Sequence, residues 1–158
     1  VLVRHAQAAA APVDADRPLT ALGLQRATAI GAWLAAGGLV PDRALVSPAR
    51  RTRETWERAG GGLPPVIEPR LYDNTAEALL EAIAETPDDV ALLAVVGHAP
   101  SVGELAVALD DGTGDPAVRG EVSAGFPTGG VAVLHLDRPF ADLAPGTARL
   151  DAFSVPGG

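Results

Sequence analysis

The sequence predicts an α/β fold: a three-layer sandwich in which a mostly parallel central sheet carries helices on both faces. Strand-like apolar segments alternate with helical ones along the chain, the pattern of such folds. Val90 to Val96 is a continuous apolar run rather than an alternating one, as expected for a parallel strand covered on both sides. At 158 residues and 16.0 kDa the chain suits a single domain over 1–158 built on one core.

The elements follow in order. Val1 to Val3 reads as a strand end. Thr20 to about Ala36 reads as a helix, with a capping Thr20, apolar Leu22, Ala27, Ile30 and Leu34, and Gly37-Gly38 as a stop. Ala44 to Val46 is a short strand. Ser47-Pro48 then offers an N-cap followed by proline at the first position of a second helix, expected to run to about Ala59. Gly60 to Pro65 is a turn, Val66 to Glu68 a short strand, and Thr75 to Glu85 a third helix with Leu79, Leu80 and Ile83 on one side. Val90 to Val96 is the expected centre of the sheet. Ser101 to Leu109 forms another helix, followed by a polar, Gly-rich loop through about Gly125. Val131 to Leu136 and Ala148 to Phe153 are two late strands.

Composition narrows the chemistry. Apolar residues make up 47% and charged residues 20%, enough to form a core and to solvate it, so disorder is not expected. The net charge of -8 has the wrong sign for a general nucleic-acid or anionic-membrane binder, so any anionic ligand must be held by a local cluster. All 12 basic residues are Arg, which excludes a Schiff-base lysine and a P-loop lysine. Without Cys there are no disulfides, thiolate nucleophiles or cysteine zinc sites. No apolar run is long enough to cross a bilayer and no leader pattern precedes Val1, so a soluble, cytoplasmic protein is expected. The chain starts without Met, and a short preceding piece is expected.

Two histidines stand in matching places, each directly after an apolar strand: Val1-Leu2-Val3-Arg4-His5 and Val95-Val96-Gly97-His98. In open α/β sheets the carboxyl ends of strands line the ligand crevice, so both imidazoles are expected to face one pocket. A lone histidine in such a place is more often a hydrogen-bonded packing residue, and the matched pair outweighs that reading. Arg4 neighbours His5. Arg51 falls in the first turns of the helix expected after Ser47-Pro48, where free amides and partial positive charge favour an anion. A phosphoryl group is the natural guest, although three arginines as close as Arg50, Arg51 and Arg53 usually include solvated ones.

These residues resemble the histidine phosphatase superfamily, whose fold is called phosphoglycerate-mutase-like. Arg4-His5-Ala6 is similar to its Arg-His-Gly signature, and Leu19-Thr20-Ala21-Leu22-Gly23-Leu24-Gln25-Arg26-Ala27 to its Leu-Thr-x-x-Gly-x-x-Gln-Ala helix start. Ser47 to Thr55 matches the Ser-Pro-x-x-Arg-Ala-x-Gln-Thr segment, which selects Arg51 over Arg50 and Arg53, and Gly97-His98 matches the second histidine motif. Arg17-Pro18-Leu19-Thr20, Leu71-Tyr72 and the segment from Phe126 to Leu134 resemble the short branch typified by the SixA phosphohistidine phosphatases. Three departures stand out. Ala6 replaces the usual Gly, Glu54 replaces the usual Gln, and the mutase-type acidic residue has no obvious counterpart, which leaves the proton donor open.

The resemblance implies that His5 attacks phosphorus, giving a phosphohistidine enzyme that water hydrolyses, while Arg4, Arg51 and His98 surround the phosphoryl oxygens. No metal or other cofactor is required. Asp14, Asp16 and Asp73 are the candidate proton donors, each equally readable as a loop or capping carboxylate. The expected partner is a phosphate-bearing substrate: phosphohistidine in a protein or a small phosphomonoester. The alternatives are a small-molecule phosphomonoesterase and, further off, a non-catalytic phosphate-binding module. Gly112-Thr113-Gly114-Asp115-Pro116-Ala117 formally fits a dinucleotide loop, but it follows a helix-like segment and places Pro116 where the pyrophosphate helix would begin, so it reads as a loop. His135 reads as a strand histidine without a ligand partner, and Trp33 and Trp56 as packing residues.

Overall fold

The computed structural model describes residues 1–158. In chain order the elements are β1 (Leu2–Arg4), α1 (Ala21–Ala36), β2 (Arg43–Val46), α2 (Arg50–Ala59), β3 (Val66–Ile67), α3 (Ala76–Ala84), β4 (Leu93–Gly97), α4 (Ser101–Leu109), α5 (Pro116–Ala124), β5 (Val131–Leu136) and β6 (Ala148–Ser154). Short 3-10 turns cover Asp14–Asp16, Pro69–Asp73 and Phe140–Asp142. The six strands form one sheet in the order β3-β2-β4-β1-β5-β6. The β3-β2, β2-β4 and β4-β1 pairs are parallel, and both pairings of β5 are antiparallel. Only β5 therefore runs against the rest, and the expected mostly parallel sheet with β4 inside it is observed.

The strands alternate their side chains between two cores. Val3, Val46 and Val96 face α1 and α2, where they pack with Ile30, Leu34 and Trp56. Leu2, Leu45 and Val95 face the other way, towards Leu79 and Ile83 of α3 and Val102 and Leu105 of α4. All five residues of β4 are buried, which explains why its sequence shows no polar alternation. No helix is long and apolar enough to cross a membrane.

Thr20 caps α1 by accepting the Gly23 N–H at 2.9 Å, as its sequence predicts. The buried stripe is Gly23, Ala27, Ile30 and Leu34, and Leu22 is exposed instead. Gly23 is required there because a Cβ would lie 2.1 Å from the Gln7 carbonyl oxygen. This close approach seats the start of α1 against the loop leaving β1.

Two expectations are corrected. The segment read as a loop through about Gly125 contains α5. Pro116 supplies its first turn, while the Asp115 carboxylate accepts the Ala117 N–H at 2.8 Å, so proline opens this helix rather than preventing it. Arg119 of α5 pairs with the buried Asp110, tying the helix back to the end of α4. At Ser47-Pro48 the opposite holds. The helix starts two residues later, at Arg50, with no side-chain cap from Ala49, and Ser47 is used elsewhere.

Candidate active site

The register of the parallel pair β1–β4 places Arg4 opposite Gly97, so the next residues, His5 and His98, emerge side by side from the carboxyl edge of the sheet. The His5 N–H bonds the Gly97 carbonyl at 3.0 Å, and the two ring centroids are 5.4 Å apart. Both histidines are buried. They line a cleft of about 360 Å³ with Arg4, Asp14, Arg17, Arg51, Tyr72, Asn74 and Ala99.

Each imidazole is held in a defined way. His5 Nδ1 lies 2.7 Å from the Ala6 carbonyl oxygen, which can only accept, so Nδ1 carries the proton and the Nε2 lone pair is left free. His98 Nδ1 lies 3.3 Å from Arg51 Nη2, which can only donate, so Nδ1 accepts and Nε2 donates to Ser47 Oγ at 2.8 Å. Ser47, read from the sequence as a helix cap, is thus the partner that orients His98.

Both arginines are held in place by hydrogen bonds. Arg4 Nη1 donates to the Phe126 carbonyl at 2.9 Å, and the Gly129 N–H reaches the carbonyls of Arg4 and His5 at 3.2 and 3.0 Å. Gly129 adopts φ 77°, the conformation that lets the turn fold over the end of β1. Arg51 donates through Nη1 to the Asp14 carbonyl oxygen at 2.9 Å and through Nη2 to the Asp14 carboxylate at 3.1 Å. Arg4 and Arg51 each keep a buried Nε without a partner. Arg50 instead pairs with Glu54 at 2.7 Å, and Arg53 bonds the Pro48 carbonyl at 3.1 Å; both are exposed and neither lines the cleft.

Two of the three departures from the resembled signature have visible accommodation. Ala6 packs in a small cluster with Leu19 and Ala27, and its N–H donates to Thr55 Oγ1 at 3.0 Å. Glu54 accepts the Leu19 N–H at 2.7 Å besides its pair with Arg50, joining α2 to the loop before α1.

Of the three candidate acids, only Asp14 lines the cleft; Asp16 and Asp73 are exposed and stay outside it. Tyr72 donates its hydroxyl to Asp14 at 2.5 Å, and its ring meets His98 edge-on at 5.7 Å. Asn74 has a left-handed backbone, φ 58°, and its side chain bridges the Ala99 carbonyl at 2.6 Å and the Ser101 N–H at 3.2 Å, fixing the turn after His98. Arg17, Tyr72, Asn74 and Ser47 were not singled out as site residues from the sequence. Arg17 and Tyr72 lie in stretches that resemble the family, whereas the contacts of Ser47 and Asn74 span 51 and 25 residues and leave no local signal.

The electrostatics keep both rings neutral. Burial first, then the nearby arginines, lowers the His5 pKa to about 4, against the raising effect of the Ala6 carbonyl. Burial and the Arg51 charge lower that of His98 to about 3. Asp14 is held down to about 2, first by the Tyr72 hydroxyl and then by Arg51 and Arg17, so it is a carboxylate at neutral pH. A ring-proton NMR titration is expected to show His5 protonating near pH 4 rather than near 6.5. Below about pH 6.5 the unfolded chain takes up this proton first, so stability falls as pH drops from there towards about 4. A midpoint near 6.5 in the folded protein would show that His5 is not desolvated.

A sequence model of the histidine phosphatase superfamily (branch 1) matches residues 1–90. An uncharacterized protein of Mycobacterium tuberculosis is 39% identical over 157 residues, covering 98% of this chain and 99% of the relative. Phosphohistidine phosphatase SixA of Escherichia coli is 32% identical over 145 residues, covering 86% and 84%. A solved structure from Nakamurella multipartitia, provisionally named phosphohistidine phosphatase SixA, superposes with a TM-score of 0.89 at 34% identity, covering 99% of this chain and 96% of that one. With the family model spanning more than half of the sequence and these likenesses running nearly end to end, the chain belongs to the histidine phosphatase superfamily and to its SixA-like branch of hydrolases.

Proposed function

We propose that the protein hydrolyses phosphohistidine in a protein substrate by way of a phosphoryl group carried on His5. The observation that carries this reading is the Ala6 carbonyl on His5 Nδ1, which leaves Nε2 with its lone pair free in a cleft lined by Arg4, Arg51 and His98. Nε2 attacks phosphorus in line, and the bond to the leaving group breaks with its electron pair going to that group. Water then attacks the phosphorus of the phosphohistidine enzyme, releasing phosphate and restoring His5. Arg4 and Arg51 offer fixed donors to the equatorial oxygens, where charge accumulates in the transition state. His98, with Nδ1 accepting from Arg51 and Nε2 donating to Ser47, steadies the Arg51 guanidinium at the floor of the cleft.

The leaving group decides the substrate class. An alkoxide needs a proton as it departs, and the carboxylate nearest the cleft, Asp14, is ionised. A phosphorylated imidazole takes its proton from solvent on the distal ring nitrogen before the bond breaks, so it leaves as neutral imidazole without an acid on the enzyme. Phosphohistidine peptides and aryl phosphates are therefore expected to turn over at least about 100-fold faster than alkyl phosphates, the smallest advantage usually supplied by an acid catalyst. Rates across a series of esters of graded leaving-group basicity give the test. A flat series would show a working proton donor and replace this reading with that of a small-molecule phosphomonoesterase.

A further inference from the structure

We propose that the Asp14 carboxylate selects the substrate by accepting a hydrogen bond from the distal ring N–H of a phosphohistidine leaving group, so that the cleft favours phosphorylated imidazolium over phosphate esters. The proposal rests on the preceding reading of phosphohistidine as the substrate. It adds a residue that distinguishes this leaving group from an ester oxygen.

The placement comes from the depth of the cleft. His5, His98 and Arg51 form its buried floor, whereas the Asp14 side chain is 54% exposed and Tyr72 39% exposed at its mouth. In-line attack from His5 puts the leaving atom on the far side of phosphorus, towards the mouth. Asp14 is the one carboxylate among the lining residues; the other charged or titratable groups facing it are Arg4, Arg17, Arg51, His5, His98 and Tyr72. Its two oxygens are used unequally. Oδ2 accepts from Tyr72 at 2.5 Å and Arg51 at 3.1 Å, while Oδ1 has only Arg17 at 3.5 Å, so Oδ1 retains acceptor capacity.

The chemistry of the two leaving groups then separates them. An ester oxygen carries no proton and gains negative charge as its bond breaks, which a neighbouring carboxylate opposes. A phosphorylated imidazole protonated on its other nitrogen carries positive charge and an N–H, both of which a carboxylate favours. During transfer the P–N bond breaks with its pair returning to the ring nitrogen, the His5 Nε2 pair forms the new P–N bond, and the proton stays on the distal nitrogen. The ring departs as neutral imidazole, with no proton delivered. The ionised state of Asp14, unsuited to a general acid, is the state this role needs.

The test compares wild type with Asp14→Asn on a phosphohistidine peptide and on 4-nitrophenyl phosphate from about pH 6 to 9. The variant is expected to lose about 10- to 100-fold in kcat/KM for the peptide, the scale of a hydrogen bond to a charged group. Its loss should grow as pH rises and the substrate ring sheds its proton, because the carboxylate that holds that proton is gone. With a negative charge removed from beside the dianion, the aryl ester should be hydrolysed several-fold faster. Equal changes on both substrates would overturn the proposal, since Asp14 would then act only by positioning Arg51. A greater loss on the ester would also overturn it and make Asp14 an acid. A wild type unable to hydrolyse the peptide would overturn both this proposal and the reading beneath it, a result read without the variant.

Discussion

His5→Ala is expected to abolish turnover, by on the order of 10⁴-fold or more, while leaving the fold in place. The sheet uses the backbone of His5 and not its ring: the N–H bonds Gly97, and the carbonyl accepts from Gly129. Alanine keeps both bonds. What disappears is the one cleft nitrogen whose lone pair is freed by a hydrogen bond at the opposite side of the ring. Wild-type enzyme quenched during turnover should carry phosphate on His5, labile to acid and stable to base, and the variant should carry none. Phosphate found on a serine, or a variant with near-normal rates and an unchanged melting temperature, would remove His5 as the nucleophile.

The parts of the site that were legible in the sequence are those written locally. A histidine after an apolar strand can be seen without knowing the partner strand, and two of them define a crevice once parallel pairing is assumed. Arg51 could be separated from Arg50 and Arg53 only by resemblance, because three arginines in the first turns of one expected helix look alike in the sequence, and it is burial that distinguishes the three. The contacts that orient these groups were not legible. Ser47 looked like a cap because Ser-Pro commonly opens a helix, yet its hydroxyl serves His98 from a strand end. Asp115-Pro116 carried the same kind of signal and does open a helix, but it was discounted as part of a glycine loop. Both errors have one cause: a helix-start signal states what a residue is able to do, and the tertiary partner decides whether it does so. Gly23 shows the complementary blindness. The first position of the buried stripe of α1 carries no side chain, so periodicity pointed to its exposed neighbour Leu22.

Arg51→Ala is expected to lower the rate by about 100-fold or more, and Arg50→Ala and Arg53→Ala far less. The difference does not come from charge, which is the same in all three, but from where the donors are held. The Arg51 side chain is 8% exposed, with Nη1 and Nη2 fixed on Asp14 and on His98 and its Nε unpartnered. A group already oriented in a water-poor cleft loses little on meeting developing negative charge, whereas a solvated guanidinium must first be ordered and desolvated. Arg50 is engaged with Glu54 on the outer face of α2, and Arg53 with the Pro48 carbonyl, so neither offers a fork to the cleft. The loss should appear as reduced kcat with the melting temperature largely kept, because the partner carboxylate of Asp14 is half exposed and remains solvated when Arg51 is removed. Arg51→Lys should recover only part of the rate, since an ammonium restores the charge without the planar pair of donors. Equal losses at Arg50, Arg51 and Arg53 would show that the basic start of α2 acts by general attraction of anions, and full rescue by lysine would show that charge alone suffices.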